Sequence, residues 1–186
     1  MKSVIGMLSF FLFLHSSVSI AEESNGGLLT GDVKLACETI LCLSSGGGRP
    51  SECNEALERY FSINKKKLKD TLNARRDFLK LCPASNEEGM PTLTDAIVEG
   101  AGKCDAMVLN SQLVETKEYY SCKNTGSHND RTCTSYNKYR ISNKMPSYCK
   151  KYISHEYTDF NLHYDGSPQW QLDKDFKANP TGRWVD

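Results

Sequence analysis

The sequence predicts an all-α fold: a small helical domain stapled by disulfides, followed by an irregular, tyrosine-rich C-terminal segment that carries a single β-hairpin signal. Three observations lead there. Residues 35–83, LACETILCLSSGGGRPSECNEALERYFSINKKKLKDTLNARRDFLKLCP, hold three amphipathic helical patterns punctuated by Cys37, Cys42, Cys53 and Cys82. The chain has 8 cysteines, an even number, all beyond residue 21. Of its 9 tyrosines, all but Tyr60 fall between Tyr119 and Tyr164, mixed with Asn, Ser and Lys and with few aliphatic residues.

The first 21 residues read as a secretory signal peptide: Lys2, the apolar run Val4 to Leu14, and Ser19-Ile20-Ala21 as a small-x-small cleavage site. An uncleaved anchor would need an apolar run of about 20 residues. The chain thus divides into the signal peptide (1–21), a Cys-rich helical core (22–118) and the Tyr-rich segment (119–186) packed on or extending from it. Lys and Arg number 23, as do Asp and Glu. A near-neutral chain carries no global field toward nucleic acid or membrane. In an exported chain, 8 cysteines imply up to four disulfides. A zinc site is disfavoured because the spacings C-x4-C, C-x10-C and C-x28-C lack paired C-x2-C knuckles, and a redox C-x-x-C is absent.

Residues 22–31, EESNGGLLTG, form a polar lead. The first helix starts near Thr30 or Asp32, with Val33, Ala36, Cys37, Ile40 and Ser44 on one face and Leu35 and Cys42 on the other. Cys37 and Cys42 lie ~7.5 Å apart along such a helix and ~140° apart in direction, so they cannot bond to each other. Ser44-Ser45 and Gly46 to Gly48 end the helix through a left-handed glycine. Ser51 is the expected N-cap of a second helix over 52–61, with Cys53, Ala56, Leu57, Tyr60 and Phe61 inward. Cys42 then faces Cys53 across the glycine loop. A third helix runs from near Asn64 to Leu81 with the seam Leu68, Leu72, Phe78, Leu79 and Cys82, and Pro83 stops it. That pairs Cys37 with Cys82. Arg75 interrupts the seam. Either its stem packs and its head pairs with Glu38 or Glu52, or Arg49, Arg75 and Arg76 form a basic contact surface for a partner.

Residues 83–91 form a linker, and Thr92 with Asp95 caps a fourth helix that extends toward Glu115, with Leu93, Ile97, Gly100, Cys104, Met107 and Val108 on one face. Gly100 and Gly102 each cost about 1 kcal/mol of helix propensity relative to Ala, which points to close approach of another backbone. Cys122 and Cys133 flank the polar loop KNTGSHNDRT and close it. By elimination Cys104 pairs with Cys149, which sits in a short helix opened by Pro146 with Tyr148, Tyr152 and Ile153 inward. Spacing alone leaves on the order of a hundred arrangements of eight cysteines. The hairpin signal is the alternation Phe160, Leu162, Tyr164, then Asp165-Gly166, then Trp170 and Leu172, weakened by Pro168. The end, KANPTGRWVD, is an extended tail that docks through Trp184.

Chemistry is sparse. The SSGGGR loop lacks the Gly-Lys-Ser/Thr ending of a P-loop and follows no strand, and neither H-E-x-x-H nor G-x-S-x-G occurs. No catalytic, cofactor or metal residues are assigned. Lys65 to Lys69 with Arg75 and Arg76 is broken by Asp70 and Asp77 and reads as a solvated helix face. The tyrosines suit either an interface or a small core. A rival reading is an envelope enzyme acting on cell wall through His155, Glu156 and His163 beside Asp159 or Asp165. A cleft gathering those groups with a carboxylate would favour it.

The central stretch resembles the TrbM/KikA/MpfK family of conjugal transfer proteins. The resemblance is carried by Leu35-Ala36-Cys37-Glu38, Ile40-Leu41-Cys42-Leu43-Ser44, Gly48-Arg49-Pro50-Ser51-Glu52-Cys53, Arg59-Tyr60-Phe61, Ala74-Arg75-Arg76-Asp77-Phe78-Leu79 and Leu81-Cys82-Pro83. It implies a periplasmic accessory protein of plasmid conjugation, working with a type IV secretion system in mating-pair formation. Its partners would be protein components of that machinery, with no direct nucleic-acid contact and no membrane span after signal cleavage. The resemblance supplies no catalytic residues, and residues 119–186 show none of its motifs.

Overall fold

In the computed structural model the described residues are 29–46, 49–124, 126 and 131–186. The signal-peptide reading, and His128 in the KNTGSHNDRT loop, lie outside them. The helices are α1 (Gly31–Ser44), α2 (Asn54–Ser62, entered through a 3-10 turn at Ser51–Cys53), α3 (Leu68–Leu79), α4 (Met90–Gly100), α5 (Ala106–Gln112), α6 (Ser147–Ile153) and α7 (Asp173–Ala178). The strands are β1 (Val114–Asn124), β2 (Arg131–Ile141), β3 (His163–Gly166), β4 (Gln171–Leu172) and β5 (Gly182–Val185).

The all-α expectation is therefore wrong. The described residues form a mixed α/β structure with two antiparallel sheets, β1-β2-β4 and β3-β5. The physical reason is that β1 and β2 form a long hairpin with little burial on either face. No alternation of apolar and polar residues marks it, although its Tyr, Thr and Val content suits strands. Part of β1 also lies where a continued fourth helix was expected. That helix ends at Gly100, and Gly102, at φ 74°, turns the chain into α5. The expected hairpin at Asp165-Gly166 does not form either. β3 pairs with β5, and β4 pairs with β2. The intervening segment instead carries Trp170 beneath the Arg140 guanidinium, 4.4 Å from its ring centre.

Other boundaries shift for local reasons. α3 begins at Leu68 rather than Asn64, since the Lys65 N–H is taken by the Thr71 hydroxyl (2.8 Å), and Leu68 is exposed rather than part of the seam. Thr92 lies inside α4, not at its cap; its hydroxyl donates to the Gly89 carbonyl (2.7 Å). Ser45 ends α1 in an extended conformation, not a left-handed one. It bridges to Asp159, and the Gly46 N–H donates to the Asp159 carbonyl (2.6 Å). A Cβ on Gly46 would fall 2.0 Å from that carbonyl oxygen, so glycine is required there for close approach.

One core serves the helices and the C-terminal segment together. Ala36, Ile40 and Leu43 of α1, Tyr60 of α2, Phe78 and Leu79 of α3, and Leu93 and Ile97 of α4 join Leu109, Tyr152 and Trp184 in it. Trp184 docks as expected: its indole N–H donates to the Ser142 carbonyl (3.1 Å), and Asn110 bonds both its backbone N–H (2.7 Å) and carbonyl (2.8 Å). Gly100 does make a close approach, to the Tyr152 ring rather than to a backbone. The disulfides are Cys37–Cys82, Cys42–Cys53, Cys104–Cys149 and Cys122–Cys133, the pairs expected from the sequence.

The two paired loops differ in length, 45 residues for Cys37–Cys82 and 11 for Cys42–Cys53. In the chain-entropy view their closure stabilises by about 4 and about 2.8 kcal/mol. Replacing Cys37 and Cys82 together with Ala should therefore cost more in denaturant unfolding than replacing Cys42 and Cys53. A second contrast involves two buried tyrosines. The Tyr60 hydroxyl has no hydrogen-bond partner among the described residues, whereas that of Tyr152 donates to the Leu43 carbonyl at the end of α1. Tyr60→Phe should be neutral or stabilising, and Tyr152→Phe should destabilise by about 1 kcal/mol or more. Burial pushes the Tyr60 hydroxyl up to about 12, against about 10 in an unfolded chain. Its contribution to stability is thus intact below about pH 10 and is lost as pH rises from 10 through 12. Tyr60→Phe should reduce the alkaline loss of stability measured by urea titration across that window.

Candidate functional site

The three arginines singled out by sequence go to three different places. Arg75, on α3, donates from Nε to the Ile63 carbonyl (3.2 Å) and from Nη2 to the Phe61 carbonyl (3.3 Å), at the C-terminus of α2. Its guanidinium lies 5.0 Å from the Tyr60 ring centre and 5.3 Å from that of Phe61. A cation is favoured at a helix C-terminus because the last carbonyls have no partner within the helix. The ion pair expected with Glu38 or Glu52 is not formed: Glu38 pairs with Lys34 (3.4 Å), and Glu52 accepts from the Ser51 hydroxyl. Arg76, one residue on, points to α4, where Nε donates to Asp95 (2.6 Å) while Nη1 donates to Asn73 (3.2 Å). Arg49 pairs with Asp105 (3.5 Å) in the turn between α4 and α5.

Asp95 stands between two depressions. A cleft of about 520 Å³ runs between α4 and α6, lined by Thr92, Asp95, Glu99, Lys151, His155 and Glu156 among others. A smaller one, about 230 Å³, has Arg76, Lys80, Asn86 and Pro91 on its wall with Asp95. His155 and Glu156 thus do meet two carboxylates, but His163 is absent from the cleft lining. It lies in β3, with Nδ1 2.7 Å from the Asn161 carbonyl.

The histidine in the cleft is held on both sides. The Tyr157 backbone N–H donates to His155 Nδ1 (3.2 Å), which places the ring proton on Nε2. Nε2 lies 3.0 Å from the Thr92 hydroxyl, whose own hydrogen goes to Gly89. Nδ1 thus closes the turn after α6 on itself, and Nε2 fastens that turn to the start of α4. Among the described residues no three His, Cys, Asp or Glu side chains are placed to share a metal ion.

A second constellation was not singled out from the sequence. On one face of the β1-β2 hairpin, Tyr119 stacks on Tyr136 (5.9 Å between ring centres), and the Lys138 and Lys117 ammonium groups lie 4.8 and 5.4 Å from the Tyr119 ring centre. Arg140 binds Glu115 (2.7 Å) beside them and holds its carboxyl below the usual range. The signal was present as Lys117, Tyr119 and Tyr136, Lys138, Arg140 at a period of two, legible only once the strands were known. A similar exposed pair, Arg59 with Asp32 (2.7 Å), ties α2 to the start of α1.

A model of the TrbM family matches residues 28–180. The chain belongs to the TrbM family. The match covers the cysteine-rich helices and also β1 to α7, so most of the tyrosine-rich segment is part of the same family domain. TrbM membership makes this a conjugal-transfer-associated protein. Neither the comparison with curated proteins nor that with solved structures produced a match. No helix among the described residues of this TrbM protein is long and apolar enough to cross a membrane.

Arg75 and Arg76 separate structural from surface roles. Arg75→Met leaves two carbonyls without their charged donor and should destabilise by about 2 kcal/mol. Arg76→Ala removes a partly exposed ion pair and should cost about 1 kcal/mol or less. Urea unfolding of the two variants checks the order; equal losses would contradict it.

Proposed function

We propose that this TrbM protein is a periplasmic accessory protein of plasmid conjugal transfer that acts in mating-pair formation, with a type IV secretion system, through protein contacts. The observation that carries the reading is the family match over residues 28–180, in a chain whose described cysteines are all paired. Disulfides persist in oxidising compartments outside the cytoplasm, and the first 21 residues have the pattern of an export signal. Arg76 and Arg49 are the proposed contact residues, because their heads are partly accessible and each can exchange its carboxylate for one on a partner. Arg75 is proposed to support the contact surface from below. The enzyme reading has less behind it, since His155 has both nitrogens engaged and His163 stands elsewhere.

Deleting the gene from a conjugative plasmid should lower transfer frequency without altering plasmid maintenance, and the intact gene should restore it. Complementation with Arg49→Ala/Arg76→Ala, at normal protein level, should restore transfer poorly, as loss of interface arginines commonly weakens association on the order of tenfold or more. Normal transfer in the deletion strain would overturn the proposal. Recovery of the protein outside the periplasmic fraction would overturn its location.

A further inference from the structure

Among the described residues β1 is the outer strand of its sheet, with β2 on one side and an open edge on the other. Open edges are ordinarily shielded by shortness, charged side chains, proline, a bulge or a covering element; of these β1 carries charge, in Glu115, Lys117, Glu118 and Lys123. β1 is 11 residues long, about twice the usual strand. It contains no proline and pairs one-to-one with β2 from Val114↔Ile141 to Asn124↔Arg131, without a bulge. Its residues are exposed apart from Glu115 and Tyr119, which are half-buried.

The ladder fixes which backbone groups face outward. Cys122 and Cys133 are directly opposite and bonded, with Cα atoms 4.0 Å apart, which marks a non-hydrogen-bonded pair. Independently, the Leu113 carbonyl accepts from the Ser142 N–H (2.8 Å), so the odd-numbered positions are those that bond to β2. Thr116, Glu118, Tyr120 and Cys122 therefore turn their N–H and C=O groups to the open edge.

A second copy of this chain fits that edge in one register. If β1 lies antiparallel to itself about Tyr119, the outward groups align and the strand overlaps over its whole length. Glu115 then falls opposite Lys123 at both ends, Lys117 opposite Ser121, and Glu118 opposite Tyr120. The last two already hydrogen-bond along the strand (2.8 Å). Moving the axis to residue 117, 118 or 120 sets Lys117 against Lys117, Glu118 against Glu118 or Lys117 against Lys123, and like charges directly opposed are destabilising. Half-residue shifts misalign the outward groups.

We propose that two copies of this protein associate edge to edge through β1, with the two-fold axis at Tyr119, so that the two β1-β2-β4 sheets become one. The proposal is independent of the role in conjugal transfer. The interface is narrow, so a dissociation constant on the order of micromolar is expected.

Sedimentation of the purified full chain over a concentration series should show a monomer–dimer equilibrium. Lys123→Glu sets an acid opposite Glu115 of the other copy and should weaken dimerisation on the order of tenfold, with the far-ultraviolet spectrum unchanged. Tyr119→Cys should form an intermolecular disulfide under mild oxidation, because the axis brings this position against itself; Lys117→Cys should not. A chain that stays monomeric up to on the order of 0.1 mM overturns the proposal. So does a dimer that Lys123→Glu leaves unchanged, or equal cross-linking at positions 117 and 119.

Discussion

Everything in the core is arranged around a helix that cannot satisfy its own cysteines. Five residues apart on α1, Cys37 and Cys42 point in directions ~140° apart, so one must reach the turn after α3 and the other the entry to α2. The helix is held between its neighbours by covalent bonds on both sides, and the buried stripe Ala36, Ile40, Leu43 has one set of partners. Its C-terminal end is completed from far along the chain: the Leu43 carbonyl receives the Tyr152 hydroxyl, and the Ser44 carbonyl receives the Asp159 N–H (2.9 Å). The C-terminal segment is thus a structural part of the helical domain.

The same economy explains the arginines. A guanidinium on the inner side of α3 looks out of place when only the helix pattern is known, because burying it alone is costly. Arg75 is tolerated because α2 ends where its fork can reach two carbonyls, and because the rings of Tyr60 and Phe61 lie beside its charge. Arg76, turned by one residue's rotation, meets α4 and lines the smaller depression beside Asp95. Two adjacent arginines divide in this way between holding a helix end and forming part of a surface.

What could be read from residues alone followed the physics of each part. The first three helices were legible because apolar residues recur at the helical period; of the disulfides, helix geometry excluded only Cys37 with Cys42, and the pairs themselves were assigned by proximity and elimination. The hairpin was not legible. Its strands bury little on either face, so the feature that normally reveals a strand, alternation toward a core, is missing. The cleft with His155 and Glu156 was anticipated as a neighbourhood, but the bonds that occupy both histidine nitrogens come from Thr92 and Tyr157, and the first of these is distant in sequence. The TrbM resemblance rested on residues 35–83, whereas the matched domain runs to residue 180 and takes in the hairpin.

The disulfides are nested rather than consecutive: Cys42–Cys53 lies inside the loop closed by Cys37–Cys82, and Cys122–Cys133 inside that closed by Cys104–Cys149. A chain made from its N-terminus presents Cys37 and Cys42 first, and an oxidant joining thiols in order of appearance would join those two. Such a bond is incompatible with α1 as a helix. Native pairing therefore requires either that α1 forms before oxidation or that an early wrong bond is exchanged by thiol attack. Each outer bond must in any case wait for a partner 45 residues further along the chain, so the maturation of this protein is tied to the disulfide-exchange capacity of the compartment in which it folds.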